Sequence, residues 1–276
     1  MIRKKYKVKW KIVVPSIIIF ICLVRVVFSV YDIIRWKIDS DKTDSQTKVI
    51  QEFINIIEID NSDKTEIILP KGEVDLFDPY WDYIEMKLID VDFDELKKMN
   101  PDTKGWINVN GTNINYPFVQ SSDNRYYLKR SFDKSYNSAG WVFLDYRNSI
   151  KPLNKNTILY AHGRIDTTMF GSLKNTLKND WLNNTDNHVI KLSTDYDNTL
   201  WQIFSIYHIP TTNDYIQVDF SSDLEFVNWA NTLISRSSRN FNTDVSATDN
   251  ILTLSTCYNE EEKLVVHAKL IKRKIK

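Results

Sequence analysis

Nineteen mostly apolar residues, Ile12 to Val30, follow a cluster of six cations, Arg3, Lys4, Lys5, Lys7, Lys9 and Lys11, with no acid among them. As an α-helix this run is about 28 Å long, close to the ~30 Å hydrocarbon thickness of a bilayer. Pro15 lies near its start, where a helix tolerates proline. Arg25 interrupts it, but the long stem lets the guanidinium reach toward an interface. Basic flanks stay cytoplasmic, so the chain from residue 31 onward faces outside. A cleaved signal peptide has the same order of charge and apolar run, and Phe28-Ser29-Val30 is a loose match to a cleavage site. The uncleaved anchor is the favoured reading, and six flanking cations speak against a buried core helix. The expected organisation is a cytoplasmic basic tail (1–11), a single membrane-spanning signal anchor (12–30), an extracellular stalk with a helical segment (31–84) and one main domain (85–276).

The rest of the chain is globular in composition. Its 276 residues allow one or two domains, and 26% charged residues exclude a polytopic membrane protein or a disordered chain. Lys and Arg (36) balance Asp and Glu (36), which argues against a nucleic-acid binder. Two cysteines, Cys22 and Cys257, exclude a disulfide scaffold and a cysteine-built zinc site. The anchor places Cys22 in the bilayer and Cys257 outside, so they cannot pair. A lone extracellular thiol is either buried in a core or put to use.

Residues 31–48 read as a polar stalk or helix start. From Lys48, the spacing of Val49, Phe53, Ile56 and Ile57 predicts an amphipathic helix. Residues 61–84, irregular around Pro70, Gly72 and Pro79, carry Phe77, Tyr80, Trp81 and Tyr83 and should wrap over the main domain. From about Lys87, eight segments rich in Val, Ile, Thr and aromatics read as strands: Trp106–Val109, Thr112–Val119, Gly140–Leu144, Thr157–Tyr160, His188–Leu192, Leu200–Ile209, Ile251–Thr256 and Leu264–Ile271. Asn110-Gly111 signals a hairpin. Ser222-Asp-Leu-Glu225 is a capping box that opens a helix with Val227, Ala230, Leu233 and Ile234 on one face. A short helix is expected from Thr168 to about Leu177. Eight strands and few helices predict one antiparallel or mixed β-barrel of about 190 residues.

A nucleophilic cysteine needs a base or cation to keep it as thiolate, and a donor for the developing oxyanion. Cys257 ends the strand Ile251–Thr256, on one face with Ile251, Thr253 and Ser255, and the polar loop Tyr258–Glu262 follows. His162 stands at a strand–loop junction just before Gly163, a position from which an imidazole can act. His188 and His208 read as structural or surface residues. Alternation puts His267 with Lys263, Val265 and Lys269, which reads as a solvated face. No metal-ligand cluster and no phosphate-binding glycine loop stand out, so no cofactor is expected.

From about Val91 to Lys272 the chain resembles the class B sortases, cysteine transpeptidases of Gram-positive cell surfaces. Asp92-Phe-Asp-Glu-Leu96, Asn100-Pro-Asp-Thr-Lys-Gly-Trp-Ile107, Gly111-Thr-Asn-Ile-Asn-Tyr-Pro117, Asp123-Asn-Arg-Tyr-Tyr-Leu128, Gly140-Trp-Val-Phe-Leu-Asp145, Tyr160-Ala-His162, Met169-Phe170, Thr253-Leu-Ser-Thr-Cys257 and Leu264-Val-Val-His-Ala-Lys-Leu270 carry the resemblance. It implies an eight-stranded sortase-type β-barrel with N-terminal helices and a helix between late strands. It also implies Cys257 as nucleophile and His162 as general acid/base. Lys263 stands where the family has an Arg, a point charge on a flexible stem in place of a rigid fork. Arg164 is the alternative cation. Asn110 and Ser255 fall at substrate-pocket positions, with turn chemistry or strand packing as the plain alternative. The implied partners are secreted proteins with an Asn-Pro-x-Thr-x-like sorting motif, cleaved after Thr, and a cell-wall amine that accepts them. A degenerate sortase acting as a surface scaffold or pilus-assembly partner, and a cysteine hydrolase, remain as alternatives.

Overall fold

The computed structural model describes residues 10–62, 64–71 and 75–276. The basic residues Arg3 to Lys9 and Gly72 lie outside them. Two compact units divide the chain, one running to Lys42 and the other spanning Thr43–Lys276.

The apolar run becomes part of one 44-residue helix, α1 (Trp10–Phe53), with Pro15 inside it. The helix is long and apolar enough to cross a membrane, and its most apolar stretch is not buried by protein. Its C-terminal end departs from the expected face. Ile50 and Ile54 are buried, while Val49 and Phe53 are exposed. Ile56 and Ile57 are not helical; they open β1 (Ile56–Ile59), which pairs antiparallel with β3 (Leu88–Val91). That ladder joins residues some thirty positions apart, and helical spacing read locally cannot register it.

Between these strands lie β2 (Thr65–Ile67) and α2 (Tyr80–Glu85). Tyr80 and Tyr83 of α2 are buried with Leu88, Val189, Leu200 and Ile271. Lys272 is fully buried, and its ammonium donates to Asn61 Oδ1 (2.9 Å), to Ile84 O (2.7 Å) and to Met86 O. Asn61, Ile84 and Met86 are thus clamped to the last strand, and Tyr80 and Tyr83 pack on the main domain as expected.

After α3 (Asp94–Met99) come β4 (Thr103–Val109), β5 (Asn115–Val119), β6 (Phe143–Leu144) and β7 (Asn156–Tyr160). A 3-10 stretch, Gly171–Leu177, stands where a short helix was expected, followed by α4 (Asn179–Leu182). Then come β8 (Val189–Thr194), β9 (Asp197–Pro210), α5 (Asp223–Arg236), β10 (Ile251–Cys257) and β11 (Glu262–Ile275). Eight strands close in the order β10-β7-β6-β5-β4-β8-β9-β11, with β11 returning to β10 and β2 added along the far end of β11. The barrel is mixed, since β10–β7 and β5–β6 are parallel. All eight predicted strands are present. The Asn110-Gly111 turn is wider than a two-residue hairpin, with β5 starting at Asn115 and Gly111 at φ +68°.

Helix α5 is capped as predicted, with Ser222 Oγ accepting from Glu225 N at 3.2 Å. Phe226, Ala230 and Leu233 press onto Phe204, Tyr207, Ile251 and Val265, so β9, β10 and β11 are buried on both faces here. This overturns the solvated reading of His267, which is fully buried. Its Nε2 meets Tyr207 Oη at 2.9 Å and its Nδ1 meets Thr253 Oγ1 at 2.9 Å. Thr253 Oγ1 already donates to Asn156 Oδ1 (2.7 Å), so it accepts from Nδ1–H and the neutral ring is satisfied on both sides. Burial, assisted by the charge of Arg236, pushes its pKa down to about 3 from 6.5.

A depressed histidine pKa stabilises the fold above 6.5 and loses that stability as pH falls, because the unfolded chain then binds the extra proton. From pH 7 to pH 5 this one residue should cost about 2 kcal/mol of unfolding free energy. Urea unfolding of the native protein and of His267→Gln at both pH values measures it. The variant should be weaker at pH 7 but lose about 2 kcal/mol less on acidification; equal losses would contradict the account.

Candidate active site

The parallel pair β7–β10 ends in register, with Ser255 opposite Tyr160. His162 and Cys257 each stand two residues further on, so both leave the sheet at the same end of the barrel. Thr256 Oγ1 donates to Ala161 O (2.8 Å), tying the two strand ends together. Gly163 then runs against Cys257. A Cβ at position 163 would lie 2.2 Å from the Cys257 carbonyl oxygen, which explains the glycine without any unusual φ.

A second ladder fixes the other neighbour of Cys257. The β10–β11 hairpin pairs Cys257 directly with Lys263, so their side chains share a face. Lys263 Nζ donates to Cys257 Sγ at 3.1 Å. The connecting loop is preformed: Tyr258 N donates to Glu262 O (2.9 Å), and Asn259 Oδ1 accepts from Glu261 N (2.9 Å) and Glu262 N (2.8 Å). Beside it, the rings of Tyr258 and His208 stack at 4.7 Å, and His208 Nδ1 lies 3.1 Å from Glu262 Oε1.

His162 Nε2 lies 2.8 Å from Leu128 O. A carbonyl only accepts, so Nε2 carries the proton and the neutral ring keeps its lone pair on Nδ1. Burial lowers the pKa of the ring, and the charges of Arg164, Lys263 and Lys129 add to this against the raising effect of the Leu128 bond. The ring is therefore a neutral base at pH 7. Gly140, at φ +63°, makes room for this contact. A Cβ there would come within 2.9 Å of Leu128 O and 3.1 Å of His162 Cδ2.

Cys257, His162, Lys263 and Ser255 line one cleft of about 380 Å³. Leu128, Phe143, Tyr160 and Ile216 make its walls mostly apolar, with Thr211, Thr212 and Asn213 at one side. Ser255 Oγ is 3.0 Å from Tyr215 Oη. Tyr160 Oη donates to Asp145 Oδ2 (3.0 Å), whose fully buried carboxylate is also held by Arg147 (2.7 Å) and Asn124 (2.9 Å). These wall residues escaped the sequence reading, although Tyr160 and Asp145 lay inside the motifs that carried the resemblance.

One expected residue, Asn110, and the alternative cation, Arg164, are not brought here. Asn110 sits at the β4–β5 turn, where its Nδ2 donates to Asp186 O (2.8 Å) and its carbonyl accepts from Trp181 Nε1 (3.0 Å). It has the turn role and does not line the cleft. Arg164 turns its guanidinium to Asp166 (2.8 Å) and Thr168 (3.1 Å) rather than to Cys257. Among the described residues no group of three or more His, Cys, Asp or Glu is placed to hold a metal ion. The cleft combines a thiol, a cation at hydrogen-bond distance from it, a neutral imidazole and apolar walls. Such a set can form and resolve a covalent acyl intermediate.

Residues 107–271 match the family model described as Sortase domain. The chain is 38% identical over 184 residues to Sortase B of Staphylococcus aureus, covering 65% of this chain and 75% of that protein. It is 34% identical over 181 residues to Sortase B of Listeria monocytogenes, covering 64% and 73%. A solved Staphylococcus aureus sortase B–substrate complex superposes with TM-score 0.61 at 38% identity, covering 65% of this chain and 84% of that one.

The backbone contact at Gly163 is open to test. Gly163→Ala should force the Cys257 carbonyl away, lower stability by about 1–3 kcal/mol and change the alkylation rate of Cys257. Urea unfolding and iodoacetamide labelling measure both. A variant indistinguishable from the native protein in both would show that the two strand ends do not touch as described.

Proposed function

The chain belongs to class B of the sortase family of cysteine transpeptidases, and on that premise we propose that Cys257, His162 and Lys263 carry a two-step acyl transfer on an Asn-Pro-x-Thr-x-like motif. The observation that carries the residue assignment is the 3.1 Å approach of Lys263 Nζ to Cys257 Sγ in a cleft shared with His162.

Cys257 attacks the Thr carbonyl as thiolate. Negative charge moves from sulfur to the carbonyl oxygen, one bond from the attacked carbon. Lys263 already stands beside the sulfur, so its ammonium follows the charge with a small movement of its stem. His162 passes a proton to the leaving amine and takes one from the incoming amine. Its neutral resting state suits the second task, and the protonated state for the first arises once it accepts the thiol proton. Ser255, held by Tyr215, contributes to the substrate pocket. The mostly apolar walls offer few groups to hold an attacking water, which favours an amine acceptor over hydrolysis.

The substrates under this reading are secreted proteins bearing the motif, and the acceptor is an amino group of a cell-wall precursor or peptide. That a solved Staphylococcus aureus sortase B is described as a substrate complex supports a substrate-binding role for this cleft. Residues 12–30 serve as an uncleaved anchor, the tail 1–11 stays cytoplasmic and the barrel faces outward. The apolar α1 supports this placement.

Sorting peptides offered with and without triglycine or diaminopimelate test the reaction. Cleavage that accelerates with added amine is the expected result. Cleavage indifferent to amine would mean a hydrolase, and no cleavage of any motif by folded protein would mean a scaffold. Cys257→Ala should abolish turnover with little change in stability. Lys263→Ala should slow acylation roughly a hundred- to thousandfold, the usual cost of one lost oxyanion donor. The acidic limb of kcat/KM should lie below the ordinary histidine value of 6.5, because burial disfavours the protonated ring.

A further inference from the structure

Lys263 differs from an arginine in a second way. A guanidinium is always protonated and is no nucleophile, whereas a lysine can present a free primary amine. Here that amine is in hydrogen-bond contact with the sulfur, Nζ lying 3.1 Å from Sγ. The carbonyl carbon of an acyl group carried by Cys257 is one bond from that sulfur. The flexible lysine stem can bring the amine into the ~3–3.5 Å range in which a held nucleophile attacks. The register of β10 and β11 fixes the two residues as direct partners, so the amine stays close throughout the life of the thioacyl group.

We infer that Lys263 is an internal acyl acceptor, and that the enzyme modifies itself by an isopeptide bond when no external amine arrives. The inference rests on the thioacyl reading above. The ammonium first gives one proton to water. The neutral Nζ attacks the thioester carbonyl, the C–N bond forms and the C–S bond breaks. The second amine proton ends on sulfur, restoring the Cys257 thiol. The products are an amide on Lys263 and an enzyme that has lost the cation beside its nucleophile. Self-acylation is thus a brake that acts when acceptor is scarce and sorting substrate is abundant.

The test follows the mass of the full-length protein with a synthetic peptide containing an Asn-Pro-x-Thr motif and no added amine. An early adduct should be removed by hydroxylamine, as a thioester is. A later adduct of equal mass should survive hydroxylamine. Tryptic mapping should find the acyl group on Lys263, with cleavage after Lys263 lost. Added triglycine should cut the resistant fraction by about tenfold or more, because an external amine competes for the same intermediate. Lys263→Arg should give the labile adduct alone, and mapping of the native protein decides the matter even if that variant folds poorly. An adduct that stays labile throughout would overturn the inference while leaving the thioacyl reading intact. So would an amide that maps to another lysine, such as Lys174 near Tyr258. No adduct of either kind would overturn both.

Discussion

Two strand ladders meet at Cys257, and the site depends on their register. The parallel ladder from β7 sets His162 and Cys257 equally far beyond the last paired residues, Tyr160 and Ser255. The antiparallel ladder from β11 sets Lys263 opposite Cys257. A one-residue slip in either would turn a side chain to the opposite face and dismantle the cleft. The surrounding contacts oppose such a slip: Thr256 grips Ala161 O, Gly163 abuts the Cys257 carbonyl, and Asn259 sets the hairpin loop. Further along the same face of these strands, α5 buries His267 between Tyr207 and Thr253. Thr253 precedes Cys257 by four residues on the same face, so one polar network beneath the strand helps hold the end that carries the thiol.

A lysine at position 263 alters what this geometry can do. An arginine would offer parallel donors in a rigid fork. A lysine offers a mobile charge that can follow the electron pair from sulfur to oxygen, and an amine with its own reactivity. The tight register brings that amine to the sulfur, and both the proposed charge stabilisation and the proposed self-acylation follow from it.

Much of the barrel was legible in the sequence, because β-branched and aromatic runs separated by turns record strands locally. The capping box of α5 and the strand-end positions of His162 and Cys257 were legible for the same reason. What failed depended on partners distant in sequence. His267 looked solvated because Lys263 and Lys269 share its face. Yet Lys269 reaches out to Asp244 O, Lys263 lies at the cleft, and α5 covers what is between. Ile56 and Ile57 kept helical spacing while pairing with β3. Asn110 carried a family position, but its donor is spent on Asp186 O at a turn. The wall formed by Tyr160, Asp145, Arg147 and Asn124 is assembled from three segments, and no single stretch of sequence displays it.

The most direct measurement is a crystal structure of the protein trapped covalently with a sorting-peptide mimic bearing a thiol-reactive carbonyl. The account predicts the mimic attached to Cys257 in the apolar cleft, its former carbonyl oxygen within hydrogen-bond distance of Lys263 Nζ and its leaving-group side toward His162. Attachment with Lys263 turned to solvent and another donor on the oxygen would contradict it.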